Sequence, residues 1–392
     1  MNATVLNQKS TSNFIPESLV SWCKSEAKKH FDLLSYPKIS DEIWRKFPLQ
    51  QLDFAELINN ESESNIHGME DTHFDLKKNS ETAKRMLTEM LQMASENYFA
   101  LYTILQAENF YFYELDKDAK DEMYYDFQYE VSQDRNAFSV ILFSVKENCQ
   151  TKLMETYLSS SLSENQHLLG SISFYKLGSG SKLDILYEEK FDENLVQFRC
   201  QVSKQENDSQ LNIFSFPSGG FRKKHFYHPE LDGKGSSYFL TGVSSLVRRE
   251  LLDIDAKVTH LASDSTSKII YKAIVNDKAH HIFTGNLAIP NSVKKVIAHQ
   301  ESHNLSLNKK ARAEANPKLE VMAEDVSCTH GATVGDINEE QLFYLLSRGL
   351  TPEESKSILV ASFYEETINK IPFPDHIKES VSAKIRASVL RN

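Results

Sequence analysis

Cys328 and His330 set a thiol and an imidazole one residue apart, in the stretch EDVSCTHGATVG (Glu324–Gly335). The chain has only four cysteines, Cys23, Cys149, Cys200 and Cys328. If this stretch is extended, side chains repeat every two residues and Val326, Cys328 and His330 share one side. Thiol and imidazole would then leave the backbone about 7 Å apart, close enough to meet one metal ion or one sulfur species. An imidazole beside a thiol also favours the thiolate, the form that binds metal. Gly331 and Gly335 let the chain leave such a strand sharply. The structural alternative is a core cysteine beside a surface histidine, and spacing alone leaves both readings open.

Other histidines extend the question. His299 and His303 stand four apart and, with Cys328 and His330, could supply four zinc-type ligands. Against that set, VKKVIAHQESHNLSL reads as a polar surface segment. His280 and His281 are adjacent, so in a strand they point to opposite faces. GSGSK (Gly178–Lys182) lacks the GxxxxGK[ST] spacing of a phosphate loop and sits among β-prone runs. There is no GxSxG, HExxH or GxGxxG motif, which argues against nucleotide binding or self-contained hydrolysis by this chain.

The elements that must position these residues fall into three zones. In PESLVSWCKSEAKKHFDLL, an apolar stripe of Leu19, Trp22, Cys23, Ala27, His30, Phe31 and Leu34 predicts a helix with Cys23 in the core. A second amphipathic run carries Ala83, Leu87, Met90, Leu91, Ala94, Tyr98 and Leu101, with Ser80 as its expected cap. After about Tyr124 the period shortens from near 3.6 towards 2, in runs such as AFSVILFSV, LVQFRCQVS and SKIIYKAIVND. Composition does not choose between barrel, sandwich and β-solenoid. Cys149 and Cys200 read as structural. The last sixty or so residues return to helix, with Asp336 and Glu339 as an expected capping box and Leu342, Leu345 and Leu346 as a buried stripe. Gly349 is the expected stop, and Thr351 caps a helix that opens at Pro352. Leu359 and Phe363 share that helix's apolar face, and a ladder of Ile377, Val381, Ile385 and Val389 on a third suits docking on a neighbour.

Bulk properties narrow the class. The 392 residues allow two or three domains, and a net charge of -11 argues against non-specific nucleic-acid binding. The basic clusters FRKKHF and LVRRELL read as solvated loops or edge-strand protection. Scattered cysteines without CxxC fit a reducing compartment. No apolar run approaches a membrane span, and the N-terminus lacks a signal-like apolar region, so a cytoplasmic location is expected.

The stretch PKLEVMAEDVSCTHGATVGDINEEQLFYLLSRGLTPEES resembles the C-terminal signature of the SufB/SufD family of the SUF iron–sulfur cluster assembly machinery. The likeness continues upstream through HLASDSTSKIIYKAIVNDKAHHIFTGNLAI, and more weakly in SYPKISDEIWRKFPLQQL. Within the family the chain looks like SufD, because it has Cys328-Thr-His330-Gly where SufB chains carry a CxHEA-type sequence. The resemblance implies a mainly β fold: a right-handed parallel β-helix core flanked by helical N-terminal and C-terminal regions, with divisions at 1–110, 111–333 and 334–392. It implies pairing with SufB, a homodimer being the alternative for the isolated chain, and docking of the ATPase SufC on C-terminal helices through Phe343, Tyr344, Arg348, Leu359 and Phe363. It makes His330 a transient ligand for iron or a nascent iron–sulfur cluster at the partner interface, with Cys328 in a less defined role there. The subunit itself is then non-catalytic. Two rivals remain: a purely structural adaptor, and a stand-alone β-solenoid metalloprotein using His299, His303, Cys328 and His330.

Overall fold

The computed structural model describes residues 14–52, 64–68, 76–108, 110–119, 123–131, 136–159 and 166–389. Their centre is a parallel β-solenoid in which successive strands alternate between two sheets. One sheet holds β1 (Ser64–Gly68), β3 (Tyr125–Val131), β5 (Gln150–Ser159), β7 (Lys182–Lys190), β9 (Gln210–Phe216), β11 (Ser237–Leu246), β13 (Thr266–Val275), β15 (Val296–Ser306) and β17 (Val326–Asp336), in that order. The other holds β2 (Phe110–Leu115), β4 (Ala137–Val145), β6 (His167–Leu177), β8 (Leu195–Gln205), β10 (Arg222–Leu231), β12 (Leu251–His260), β14 (His280–Ile289) and β16 (Arg312–Val321). All pairings are parallel except that of β1 with β3.

The repeat is carried by turns rather than by identical residues. Left-handed backbone recurs at Asn148, Gly180, Asp208, Gly235, Asp264 and Lys295, roughly thirty residues apart, a solenoid period. Gly, Asn and Asp tolerate positive φ best, so they punctuate the strands even where no sequence repeat is visible. Inside the lumen Gly242 leaves room for its neighbour on the next turn: a Cβ there would stand 2.1 Å from the Tyr271 ring. The lumen is filled by inward residues such as Leu153, Ile185, Leu211, Leu240, Ile254, Ile269, Phe283 and Leu287.

Helices lie over the central strands of each sheet's outer face. Helices α1 (Glu17–Phe31), α2 (Leu76–Ala94) and α3 (Tyr98–Gln106) pack on the β2–β16 sheet, where Phe99 stacks on Phe198 at 3.7 Å between ring centres and Trp44 fills the adjoining space. Cys23 is buried there, as its position on the stripe predicts. Ser80 lies inside α2, not at its cap, and the single expected run is broken at Asn97, whose side chain accepts from Ala100 N and starts α3. The opposite sheet is covered by α5 (Pro352–Asn369) and α6 (Asp375–Val389), through Val360, Tyr364, Ile368, Ile377, Val381 and Ile385 against Leu186, Phe216, Val243 and Ile274. Ile377, Val381 and Ile385 of the α6 ladder therefore dock on their own chain, and the side chain of Val389 lies outside the described residues.

Covering both faces overturns the reading of FRKKHF as a solvated loop or edge. It begins β10, a central strand, where Lys223, Lys224 and His225 are all buried. Lys223 faces inward and pairs with Glu189 at 2.9 Å, whereas Lys224 faces outward and pairs with Asp253 at 2.8 Å. Within VKKVIAHQESHNLSL, residues Val296–Ser306 form β15, whose outward side chains are part-exposed as a polar surface segment implies and whose inward ones, such as Ala298 and Gln300, are buried. At the C-terminal junction, α4 (Glu339–Ser347) is capped by Asn338 rather than Asp336, which ends β17. None of its residues is buried: of the expected stripe, Leu342 and Leu345 are half-buried and Leu346 is exposed. Gly349 does stop the helix at φ +90°, and Thr351 and Glu354 form a reciprocal capping box on α5.

Candidate functional site

The two ends of the solenoid differ. At the first turn the edge of β3 is covered by antiparallel β1, and Ile15 N donates to Phe110 O beside β2. At the last turn, among the described residues, β17 pairs only with β15 and β16 only with β14, leaving two bare edges of eleven and ten residues. Bare, long edges invite pairing with another chain and are normally blunted or covered. Around them stand exposed apolar side chains: Ile297, Leu319, Val321, Met322 and Val334, Met322 being 73% exposed. A grouped apolar surface of this kind marks an interaction site.

Cys328 and His330 lie on this rim, and their stretch is extended as the alternation argument requires. Cys328 is in register with Ala298 and His330 with Gln300, both buried and inward-facing, so thiol and imidazole stand on the inward side of the open rung. His330 is exposed. Gln300 forms its floor and ties β15 to β16 by donating from Nε2 to Lys318 O at 2.9 Å. Cys328 is half-buried against the core, and burial pushes its thiol up rather than down. The expected promotion of the thiolate by the neighbouring imidazole is therefore not realised in this chain alone.

The four-ligand set of the metalloprotein reading is not assembled. His299 and His303 project from the outer face of β15, where their Nε2 atoms meet opposite oxygens of Glu301 at 2.8 and 2.9 Å and their Nδ1 atoms meet Thr329 and Thr333. These hydrogen bonds, from His303 first and His299 next, hold the Glu301 carboxyl below its ordinary range. Cys328 and His330 are on the other face of the sheet. His280 and His281 are split the same way, His280 towards Glu314 and His281 inward to Asn304. Among the described residues, no group of three or more His, Cys, Asp or Glu is placed to hold a metal. One imidazole and one thiol at an open rung are two donors, short of a closed coordination sphere. The described residues of this rung supply no third His, Cys, Asp or Glu to them.

The helical docking candidates separate into two groups. Phe343 and Tyr344 on α4 are 73% and 55% exposed, with Arg348 stacked on Tyr344 at 5.0 Å. Leu359 is half-buried on α5, and Phe363 is partly packed on the solenoid beneath Lys272, whose Nζ donates to Phe363 O at 2.8 Å. The remaining cysteines are buried: burial pushes the Cys23 and Cys200 thiols up to about 12 and that of Cys149 to about 11. No helix among the described residues is long and apolar enough to cross a membrane.

Sequence reasoning missed the bare edges and the charged lumen. Both depend on which strand comes last and which lies beneath, and the thirty-residue spacing of left-handed turn residues was the available signal.

The described residues thus form a two-sheet parallel solenoid whose last rung carries an imidazole and a thiol on its inward side. Residues 128–363 match the family described as "SUF system FeS cluster assembly, SufBD core domain", and the chain belongs to that family. It is similar to the iron–sulfur cluster assembly protein SufD of Escherichia coli, 31% identical over 45% of this chain and 42% of that protein. It is 35% identical to SufD of Bacillus subtilis over 32% of this chain and 29% of that one. The chloroplastic protein ABCI7 of Arabidopsis thaliana is 28% identical over 49% and 41%. The matched stretches thus span less than half the length of these relatives.

Proposed function

We infer that this chain is the SufD-like, non-catalytic scaffold of an iron–sulfur cluster assembly complex, joining SufB through its open solenoid rung and the ATPase SufC through α4 and the start of α5. The observation that carries the reading is the bare last rung with His330 exposed on it. A strand from a partner solenoid can satisfy the free backbone groups of β16 and β17 and bury the apolar rim in one step. Iron or a nascent cluster is cargo at that junction. His330 offers imidazole to it, Cys328 lines the inward side, and the partner completes the coordination. Phe343 and Tyr344 give the ATPase an aromatic anchor, the residue type that dominates interface energies. The cytoplasm is the compartment this reading carries.

The test is His330→Ala in a complex co-purified with SufB and SufC. The trimeric assembly is expected at wild-type yield, with cluster formation, followed by visible absorbance and iron content, reduced at least about tenfold, as for loss of a metal ligand's contribution. Unchanged cluster yield would remove His330 from the site and leave the purely structural adaptor as the better account.

A further inference from the structure

The helical cover does not fill the outer face of the β2–β16 sheet. Between the connector that follows α1 and strands β10, β12, β14 and β16 it leaves a cleft of about 600 Å³, a volume typical of a small-molecule site. Part of its wall is aromatic: Trp44 and Phe226 are 8% and 3% exposed, with ring centres 5.7 Å apart. Outward positions of the strands make a polar floor, on which Phe226, His228 and Glu230 follow one another along β10. Glu230 is four residues beyond Phe226, which sets the aromatic and acidic parts about 13 Å apart along the strand.

The lining is unequally charged. Six carboxylates, on Asp41, Glu42, Glu96, Glu230, Asp255 and Glu320, meet two lysines, Lys257 and Lys318. Lys318 is taken by Glu42 at 2.6 Å, and His228 by Asp255 at 2.7 Å. Glu320 accepts from Asn286 at 2.7 Å, a neutral partner that leaves its charge in place. Exposed Lys257 is then set against Asp41, Glu96, Glu230 and Glu320. Cations just outside the cleft are engaged elsewhere: Lys224 with Asp253, Lys46 with Glu314, Lys204 with Asp232 and Lys176 with Glu89.

Glu230 feels this excess most. It is half-buried and makes no hydrogen bond or ion pair with a described residue, although Lys204 is its neighbour in register on β8. Burial pushes its carboxyl above the ordinary range, against the pull of Lys204. A desolvated carboxylate without a counter-ion is costly, and a cation entering the cleft relieves it. A metal ion is poorly served, since no three His, Cys, Asp or Glu converge among the described residues. The charged head does not belong at Trp44 either, whose ring already has Lys224 Nζ at 5.5 Å. The aromatic part suits an apolar body instead.

We propose that this cleft binds an organic cation, a primary amine carried on an aromatic body, with its head at Glu230 and its body against Trp44 and Phe226. The site is separate from the junction at His330 and needs no partner chain.

The experiment titrates the full chain with phenylbutylamine, whose four-carbon stem lets head and ring reach both parts of the cleft, and follows the heat. One site is expected, with a dissociation constant of about 1 mM or below, as a fragment of this size reaches in a formed pocket. Phenylvalerate, with the same stem and ring but a carboxylate head, should bind at least about tenfold more weakly, because it adds a like charge to the lining. Glu230→Gln should weaken the amine about tenfold or more, as loss of a charge-assisted contact requires, without lowering the urea midpoint. Glu320→Gln, at a carboxylate already held by Asn286, should change affinity less than about twofold on the same scale. Equal binding of amine and carboxylate, or equal losses in the two variants, overturns the proposal. Should Glu230→Gln fail to fold, a wild-type crystal soaked in phenylbutylamine decides. The nitrogen is expected within about 3 Å of a Glu230 carboxylate oxygen, with the ring beside Trp44. Density for the amine only outside the cleft, or a cleft without it, overturns the proposal equally.

Discussion

Replacing Lys223 with methionine keeps the length of the side chain and removes the cation from a carboxylate with no route to water. Both Lys223 and Glu189 are 0% exposed and meet at 2.9 Å, so neither solvent nor salt screens the loss. Breaking one side of a buried ion pair costs about 3–5 kcal/mol, because the remaining charge is stranded. His225 and Tyr187 still contact Glu189 and place the expectation near the lower end. With a urea dependence of about 3 kcal/mol/M, a loss of about 3 kcal/mol moves the midpoint down by roughly 1 M. The fluorescence of Trp22 and Trp44 reports the helical cover and circular dichroism the strands, so coincident transitions would show that one unit is unfolding. The double variant Lys223→Met/Glu189→Gln should recover most of the loss, since it strands no charge. The pH dependence has a definite sign. In the wild type Glu189 is depressed, so its stabilisation is present above the unfolded carboxylate value and is lost as pH falls through the folded one. In the variant burial dominates and raises it, so protonation relieves the strain and the gap from wild type should narrow between about pH 8 and 5. A single-variant cost under about 1 kcal/mol, or a gap that widens on acidification, would refute the reasoning.

His260 is buried between Ser265 and Ser267, at 2.7 and 2.9 Å, and burial lowers its pKa to about 4. A histidine depressed on folding takes up its proton in the unfolded chain first, so its share of stability is complete above about 6.5 and falls away towards 4. His260→Gln should therefore flatten the acid limb of stability by about 1.4 kcal/mol per pH unit in that window, read from urea midpoints at several pH values. On the opposite sheet, Ile385→Ala should cost about 2–5 kcal/mol and loosen α6, detectable as faster amide exchange in that helix while β10 stays protected. The exposed Phe343→Ala should change stability by no more than about 0.5 kcal/mol while weakening capture of the ATPase, separating docking from folding.

The helix stripe of α1, the cap at Thr351 and the stop at Gly349 were legible, because each depends on neighbours within a few residues. Extension of the stretch around Cys328 was legible for the same reason, and it put Cys328 and His330 on one side. The onset of strand was placed too late, since β2 already runs from Phe110 to Leu115, and α5 buries Val360, Tyr364 and Ile368 while Leu359 and Phe363 stay half-buried beside them. The split of the second helical run at Asn97 was not anticipated, since a polar residue in an amphipathic pattern serves equally as helix surface or as cap. The cap at Asn338 was misplaced by two residues because β17 continues to Asp336, held by its pairing with β15.

What the chain order alone determined is therefore local: element type, turn positions, and the alternation that places Cys328 and His330 together. The fold decided which polar residues are inside. Lys223, His225 and Arg199 look like surface residues because their partners lie on other turns, and because a strand buried on both faces carries no inside–outside alternation to read. The exposure of His330 was equally a tertiary matter. Its imidazole occupies the same kind of inward position as buried Gln300, and it is open because no further turn among the described residues is stacked on it.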